Sequence, residues 1–169
     1  YGRFDLSYAA GLNQWLWASS GGGGSSRTAV YRFFNSKTGA HFYTPSAGER
    51  DYVISTYPVF KYEGPAFYAY TTQAAGTSPV YRFFNKVTGA HFYTISADER
   101  DFVIATYPSF VYEGPSWYAQ TGAGGSATAM YRFFNTSTSA HFHTISAGER
   151  YFVIATYPVF KYEGPAYYA

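Results

Sequence analysis

One stretch of the sequence occurs three times, at residues 31–69, 81–119 and 131–169, with a spacing of 50 residues between copies. The copies carry the same residue at about two thirds of their positions. A repeated unit of this size cannot bury its hydrophobic face alone, and packing against its neighbours completes the core. We therefore expect three equivalent units that pack against one another.

Each copy predicts two strands, one helix and two further strands. VYRFFN and HFYT are β-forming runs, and they are joined by the turn residues SKTGA. A capping box starts the helix at Ser46, where Glu49 should reach back to the cap, and Pro58 ends the helix. FKYEG and PAFYA then read as two strands separated at Gly64 and Pro65. The predicted unit is therefore β-β-α-β-β.

The fold class that these units predict is mainly β with three short helices. The repeats 30–79, 80–129 and 130–169 should pack around a pseudo-threefold axis as a closed, β-trefoil-like body. A small propeller-like ring of three sheets is the alternative, and an open row of units is the third arrangement. The chain has 20 Tyr and 16 Phe, so its core must be built largely from aromatic rings, which favour strands.

Charge and composition narrow the possible partners. With 12 basic and 10 acidic residues, the net charge of +2 is too evenly mixed for the basic face that nucleic acid requires. No segment approaches the roughly 18 consecutive apolar residues of a membrane span. The chain has no cysteine, which excludes disulfides and thiolate metal sites. We expect no nucleic-acid partner, no membrane partner and no cofactor.

Two segments precede the repeats. Residues 19–29 include SSGGGGSSR, whose small side chains cannot bury surface, and this is typical of a flexible linker, natural or engineered. Residues 1–18 resemble the C-terminal end of trypsin-like secreted serine peptidases. The matching residues are Tyr1, Gly2, Arg3, Tyr8, Trp15 and Leu16. The resemblance implies a peptidase domain before Tyr1, and an unrelated short leader is the alternative.

The charged residues that recur in every copy have structural explanations. Glu49 belongs to the capping box, and Glu63 should pair with Arg32 or Arg50, because a lone charge among aromatic rings is costly. Nothing in the sequence fixes two carboxylates at the separation of about 5–10 Å that a glycosidase needs. The predicted structural residues are Arg32, Glu49, Glu63, Arg82, Glu99, Glu113, Arg132, Glu149 and Glu163.

The sequence contains no recognisable catalytic or metal-binding constellation. Each recurring histidine precedes a helix cap rather than a nucleophile turn, so a serine-peptidase triad is not indicated. His141 and His143 lie on one strand face and could bind a metal, but no neighbouring residue completes the ligand set. Tyr43 and Tyr93 occupy the position of His143 in the other copies. We predict no metal and no enzymatic activity for this chain.

The aromatic and polar residues suit the binding of a polymer. Rings stack on the apolar face of a sugar while polar side chains bond its hydroxyls, and three equivalent sites would gain from multivalency. The same rings could instead form the core and the walls between units. The predicted ligand-binding residues are His41, Tyr43, Tyr62, His91, Tyr93, Tyr112, Trp117, His141, His143 and Tyr162.

The motifs YRFFN, AHFYT, AxERD and YEGP resemble a repeat family of secreted bacterial and fungal proteins, with Tyr151 replacing Asp51 and Asp101 in the third copy. That family is a domain of unknown function often appended to secreted hydrolases, which implies an extracellular location. We predict a noncatalytic C-terminal accessory domain of a secreted hydrolase, a serine peptidase, that binds glycan or cell-wall polymer. The alternatives are binding of insoluble protein substrate, or a structural or secretion-related tail.

Overall fold

The computed structural model describes residues 27–124 and 127–169, which form nine strands and three short helices. The first repeat contains β1 (Arg27–Asn35), β2 (His41–Thr44), α1 (Ala47–Thr56) and β3 (Phe60–Tyr70). The second contains β4 (Ser78–Asn85), β5 (His91–Thr94), α2 (Ala97–Thr106) and β6 (Phe110–Ala119). The third contains β7 (Ala129–Asn135), β8 (His141–Thr144), α3 (Ala147–Thr156) and β9 (Phe160–Tyr168).

The predictions made for residues 1–18, and for the linker up to residue 26, lie outside the described residues. Strand β1 begins at Arg27, so the last three residues of the predicted linker 19–29 belong to the first strand. Within the described ranges, no helix has the length and apolar character needed to cross a membrane.

An asparagine builds the turn between the first two strands of each repeat. In the first repeat, Asn35 Oδ1 accepts hydrogen bonds from the backbone N–H groups of Lys37 and Thr38, at 2.9 and 3.1 Å. The residue that follows this turn is Gly39 in the first repeat, with a φ of 75°, and Ser139 in the third repeat, with a φ of 61°. Glycine adopts this left-handed conformation without steric cost, whereas serine does not. The third repeat therefore carries local strain that the first does not.

The helix cap forms as predicted, except that its glutamate points elsewhere. Ser46 Oγ accepts a hydrogen bond from the N–H of Glu49 at 3.0 Å. The N–H of Ser46 donates to Thr44 Oγ1 at 3.1 Å, so it does not need the Glu49 carboxylate. That carboxylate instead accepts hydrogen bonds from Arg82 of the second repeat. The prediction that Glu49 reaches back to its own cap is therefore wrong, because a neighbouring arginine binds the carboxylate.

The last two predicted strands of each repeat run on into one another as a single bulged strand. In the first repeat, Arg32 of β1 pairs with Gly64 of β3, while the next residue, Phe33, pairs with Tyr62. Glu63 is thus an extra residue, and a second register shift follows it along β3. Bulges of this kind redirect a side chain without ending the pairing. The threefold β-β-α-β-β pattern remains visible, with its last two segments continuous across Gly64 and Pro65.

The strands form a six-stranded sheet in the order β2-β1-β3-β6-β4-β5 and a three-stranded sheet in the order β8-β7-β9. Tyr70 at the end of β3 pairs with Tyr118 of β6, which joins the first two repeats in the larger sheet. A bridge between Gln120 and Tyr168 links the end of the second repeat to the third. The final strands of the three repeats therefore meet at their ends.

Equivalent residues of the three repeats meet in the core. Ala40, Ala90 and Ala140 form one buried cluster, which requires the three turns to approach a common axis. A larger cluster, called here the axis core, also draws on every repeat. Its members are Val30, Tyr43, Phe67, Ala69, Val80, Tyr93, Trp117, Ala119, Met130 and Tyr167. The packing of three repeats is thus confirmed, while the closed β-trefoil-like body and the propeller-like ring stay predictions.

Candidate ligand-binding grooves between the repeats

An arginine in the first strand of each repeat joins that repeat to a neighbour. Arg32 Nε donates to Glu63 Oε1 of its own repeat at 2.6 Å, and its two terminal nitrogens donate to the Glu149 carboxylate of the third repeat at 3.1 and 3.4 Å. The equivalent sets are Arg82 with Glu113 and Glu49, and Arg132 with Glu163 and Glu99. These ion pairs connect the first repeat to the third, the second to the first, and the third to the second.

A histidine and a phenylalanine complete the boundary between the third and first repeats. The His41 ring lies 5.2 Å from Phe34 of its own repeat and 4.6 Å from Phe142 of the third, centroid to centroid. The Arg32 guanidinium lies 5.2 Å from the centroid of the same Phe142 ring. His41 Nε2 is 3.7 Å from Glu63 Oε1. Each polar side chain of this set is therefore held between aromatic rings and an opposite charge.

Burial keeps the groove histidines neutral. Desolvation, together with the positive charge of Arg32, lowers the pKa of His41 to about 3. Desolvation and Arg132 likewise lower the pKa of His141 to about 4. Burial alone would raise the pKa of Glu149, but its hydrogen bonds to Arg32 and Thr144 lower that pKa below the ordinary value. Near pH 7 the set therefore offers neutral imidazoles beside an ion pair.

The boundary between the third and first repeats encloses a groove of about 480 Å³, called here the 3/1 groove. The first repeat contributes the polar set of Arg32, His41 and Glu63 to its lining. The third repeat contributes Phe152 and Tyr157, whose rings meet edge to face at 5.9 Å and are 57% and 46% exposed. The remaining lining residues are Phe34, Gly39, Asn135, Phe142, Glu149, Val153 and Phe160. The lining of one groove thus contains both exposed aromatic rings and hydrogen-bonding side chains.

The other two boundaries repeat this design with different exposure. Between the second and third repeats, the side chains of Arg132 and Glu163 are 19% and 30% exposed. A pocket of about 190 Å³ lies beside them, but its lining includes neither His141 nor the rings of Phe102 and Tyr107, so it is not the equivalent of the 3/1 groove. Between the first and second repeats, the side chains of Arg82 and Glu113 are only 2% and 3% exposed. Phe102 and Tyr107 take the places of Phe152 and Tyr157 at the boundary of the second and third repeats, and they are also exposed. The polar set is therefore reachable from solvent at two of the three boundaries.

Four of the predicted ligand-binding residues lie at the axis, where each is 1% exposed: Tyr43, Tyr93, Trp117 and His143. Tyr93 Oη accepts from the N–H of Tyr43 at 2.9 Å and donates to its C=O at 2.8 Å. Tyr43 Oη makes the same two bonds to His143, at 2.9 and 2.7 Å. A bound polymer cannot reach these side chains without opening the core, so we leave them out of the candidate site.

The remaining predicted residues divide between the grooves and the outer surface. His41, His91 and His141 occupy equivalent places in the boundaries, each within 3.7 Å of the glutamate of its own repeat. Tyr62 and Tyr112 are 41% and 37% exposed and do not line the 3/1 groove. Tyr62, Tyr112 and Tyr162 lie near the rings of Tyr31, Tyr81 and Tyr131, on which Arg50, Arg100 and Arg150 stack.

The sequence reasoning missed the exposed rings of Phe152 and Tyr157. They are five residues apart across the end of α3, so no strand or helix period groups them with the polar set. Their equivalents 52/57 and 102/107 are aromatic as well, and this recurrence next to a helix-ending proline is the signal that could have found them. In the part of the chain that the structure describes, no three His, Asp or Glu side chains lie close enough to hold a metal.

These features define a mainly β domain of three repeats whose polar residues tie each repeat to the next. The chain belongs to the family described as a domain of unknown function, DUF5648, whose profile matches residues 29–169. No curated protein and no solved structure matches the chain.

Proposed function

We propose that this domain is a noncatalytic binding module that holds carbohydrate or cell-wall polymer in the grooves between its repeats. The observation that carries the proposal is the 3/1 groove, whose lining combines the exposed rings of Phe152 and Tyr157 with Arg32, His41 and Glu63. The volume of about 480 Å³ is within the usual range for small-ligand pockets, roughly 300–1,000 Å³.

The chemistry of the groove suits a sugar. The C–H face of a pyranose stacks on an aromatic ring, while its hydroxyls need donors and acceptors close to that ring. The carboxylate of Glu63 accepts, Arg32 donates, and the neutral imidazole of His41 can do either. Arg32 is shared by the carboxylates of Glu63 and Glu149, which leaves one net negative charge in the groove, so a neutral ligand suits the groove better than an anionic one.

A second open boundary makes binding to a polymer more favourable than binding to a single sugar. Arg132, Glu99 and Glu163 are partly exposed between the second and third repeats, so one body presents two related sites. Linking two weak sites on a rigid body raises the apparent affinity for a repeating ligand without adding contacts.

The setting that we propose is extracellular, with the module attached to a secreted hydrolase, a serine peptidase. The likeness of residues 1–18 to the end of secreted peptidases, and the likeness of the repeats to modules of secreted proteins, support this proposal. Binding would then keep the catalytic domain close to an insoluble substrate.

The test is retention of the whole chain on insoluble chitin, cellulose and peptidoglycan. We expect Phe152→Ala combined with Tyr157→Ala to lower retention about tenfold, which corresponds to about 1.4 kcal/mol and lies within the roughly 1–3 kcal/mol that aromatic side chains contribute when they stack on nucleic-acid bases. Val87→Ala is the matched control, since Val87 is 74% exposed and lies in a turn away from the 3/1 groove. Wild-type chain that stays in solution with all three polysaccharides, or a double variant retained as well as the control, would contradict the proposal.

Binding of insoluble protein is the second candidate, and the exposed isoleucines of the helices favour it. Ile54, Ile104 and Ile154 are 48%, 51% and 48% exposed at equivalent positions. Sugars do not require aliphatic contacts of this kind, whereas unfolded or fibrous protein does. Retention on denatured casein or keratin that survives an excess of soluble sugar, and that Ile104→Ser combined with Ile154→Ser weakens, would favour this second function.

A further inference from the structure

The axis core contains an incomplete ring of hydrogen bonds. Residues 43, 93 and 143 are equivalent, and the two tyrosines each bond the peptide groups of the next member: Tyr93 bonds Tyr43, and Tyr43 bonds His143. A third tyrosine at position 143 would bond Tyr93 and close the ring. The third repeat has histidine there instead.

The equivalence of the three repeats indicates that the peptide groups of Tyr93 are directed towards His143. The strand register is the same in each repeat, with Arg32 opposite Tyr43, Arg82 opposite Tyr93 and Arg132 opposite His143. The N–H and C=O of Tyr43 and of His143 point at a phenol hydroxyl from the neighbouring repeat, so those of Tyr93 point at the side chain of residue 143. An imidazole is shorter than a phenol and does not extend as far as the position of the tyrosine hydroxyl.

His143 itself has polar atoms that need partners. Its side chain is fully buried, and neither Nδ1 nor Nε2 has a hydrogen-bonding partner among the described residues. Leaving a buried polar atom unsatisfied costs about 1–3 kcal/mol, so native proteins satisfy nearly all of them with protein groups or ordered water. Desolvation, with smaller contributions from the nearby basic groups, holds the pKa of His143 far below its ordinary value, so the ring is neutral and offers one donor and one acceptor.

We propose that the axis core binds one ordered water molecule between the His143 imidazole and the N–H and C=O groups of Tyr93. This water takes the place of the third tyrosine hydroxyl and completes the ring. A buried water usually makes about three hydrogen bonds, and this site supplies three partners from two residues. The proposal does not depend on the proposed function.

A second difference between the repeats places another polar side chain next to His143. Phe67, Trp117 and Tyr167 are equivalent residues of the axis core, and only the third repeat places a hydroxyl there. The Tyr167 ring lies 6.0 Å from the His143 ring, centroid to centroid. The two polar replacements therefore stand side by side in one repeat, as expected where a hydrated site replaces a direct side-chain contact.

The first test uses the wild-type chain and counts long-lived internal waters by oxygen-17 and deuteron relaxation dispersion. Water–amide cross-relaxation at the Tyr93 N–H identifies the position. We expect a water with a long residence time at that amide. A Tyr93 amide without any water contact, or a count that shows no long-lived water, would overturn the proposal whether or not any variant folds.

The second test completes the ring with protein atoms. His143→Tyr should remove one long-lived water and raise the melting temperature by about 2–6 °C, because the phenol makes both hydrogen bonds directly. The double variant His143→Tyr with Tyr167→Phe gives the third repeat the same neighbouring residues as Tyr43 and Phe67 of the first. It therefore leaves room for the new tyrosine if the Tyr167 hydroxyl would otherwise clash with it. Tyr93→His is the matched control and should add a water and lower the melting temperature. An unchanged water count in both the single and the double variant would overturn the proposal.

Discussion

The axis core and the 3/1 groove are built from the same kinds of residue, yet they differ in what those residues do. At the axis, the hydroxyls of Tyr43 and Tyr93 satisfy backbone groups of neighbouring repeats, and both rings are 1% exposed. In the groove, the rings of Phe152 and Tyr157 are about half exposed and contact each other. The axis therefore holds the repeats together, and the groove leaves its rings available for a ligand.

This difference teaches that recurrence of a residue in every copy does not identify a binding site. Recurring residues occur in both regions: Ala40, Ala90 and Ala140 recur in the core for packing, and Arg32, His41 and Glu63 recur with their equivalents in the boundaries. Axis positions 43/93/143 and 67/117/167 differ between copies, and so do groove positions 52/102/152. Burial rather than recurrence therefore separates the two regions.

The largest expected effect concerns Arg82. This variant tests whether the loss in the free energy of unfolding depends on how deeply the ion pair is buried rather than on its location in a boundary. Arg82→Met leaves Glu49 and Glu113 buried without their cation, and we expect the free energy of unfolding to fall by about 3–5 kcal/mol. Arg132→Met is the matched control, because its glutamates are 30–38% exposed, and it should cost about 0–1 kcal/mol. Urea denaturation measures both variants, and an equal loss in the free energy of unfolding for Arg82→Met and Arg132→Met would contradict this account.

Acidification should weaken the fold through the neutral histidines. The folded-state pKa values of His41 and His141, about 3 and about 4, lie below the unfolded value of about 6.5. The unfolded chain therefore binds more protons between pH 6.5 and pH 4, and stability falls as the pH falls through this window. From pH 7 to pH 5 we expect a loss of about 2 kcal/mol for each histidine in urea denaturation.

The control for this pH dependence is His141→Gln, which removes one titrating group from a groove. Its free energy of unfolding should change less between pH 7 and pH 5 than that of the wild type. A pH dependence as steep as that of the wild type would show that His141 is protonated in the folded chain as readily as in the unfolded one.

A smaller effect compares one hydroxyl at the axis with one on the surface. Tyr43→Phe leaves the N–H and C=O of His143 unsatisfied, and we expect a loss of about 1–3 kcal/mol in the free energy of unfolding. Tyr62→Phe removes a hydroxyl from a ring that is 41% exposed and should change that free energy by less than about 0.5 kcal/mol. If Tyr62→Phe lowered the free energy of unfolding as much as Tyr43→Phe does, the distinction between the two regions would be wrong.

The smallest expected effect is a stabilisation. Ser139 has a φ of 61°, where the first repeat has Gly39 at 75°. Ser139→Gly relieves the steric cost of this conformation and should raise the free energy of unfolding by about 0.5–1 kcal/mol. The reverse exchange, Gly39→Ser, should lower it by a similar amount, and thermal denaturation of both variants checks the pair.

The local structure of each repeat could be predicted from the sequence because its signals lie within a few residues of one another. Ser46 caps the helix, Pro58 follows its end, and the Asn35 turn joins two strands, as the residue types predict. The mainly β class followed from the β-forming runs and the aromatic composition, and the packing of three repeats followed from the 50-residue spacing.

Only part of the candidate site could be predicted, namely His41 and the pairing of Glu63 with Arg32, because the rest depends on which faces of different repeats meet. Strand alternation places His41 and Tyr43 on one face, but it does not say that Tyr43 reaches the axis while His41 lies between Phe34 and Phe142. Likewise the capping motif explains Glu49 within its own repeat and gives no sign that Arg82 binds it. Contacts between repeats carry no signal at short sequence range.

The most direct test of the division between axis and groove measures adsorption and melting temperature on the same three proteins: wild type, Tyr43→Phe, and Phe152→Ala combined with Tyr157→Ala. We predict that the axis variant melts at a lower temperature but adsorbs to the polysaccharide as the wild type does. The groove variant should melt within about 2 °C of the wild type and lose adsorption. An axis variant that folds yet no longer adsorbs, beside a groove variant that still does, would contradict the account.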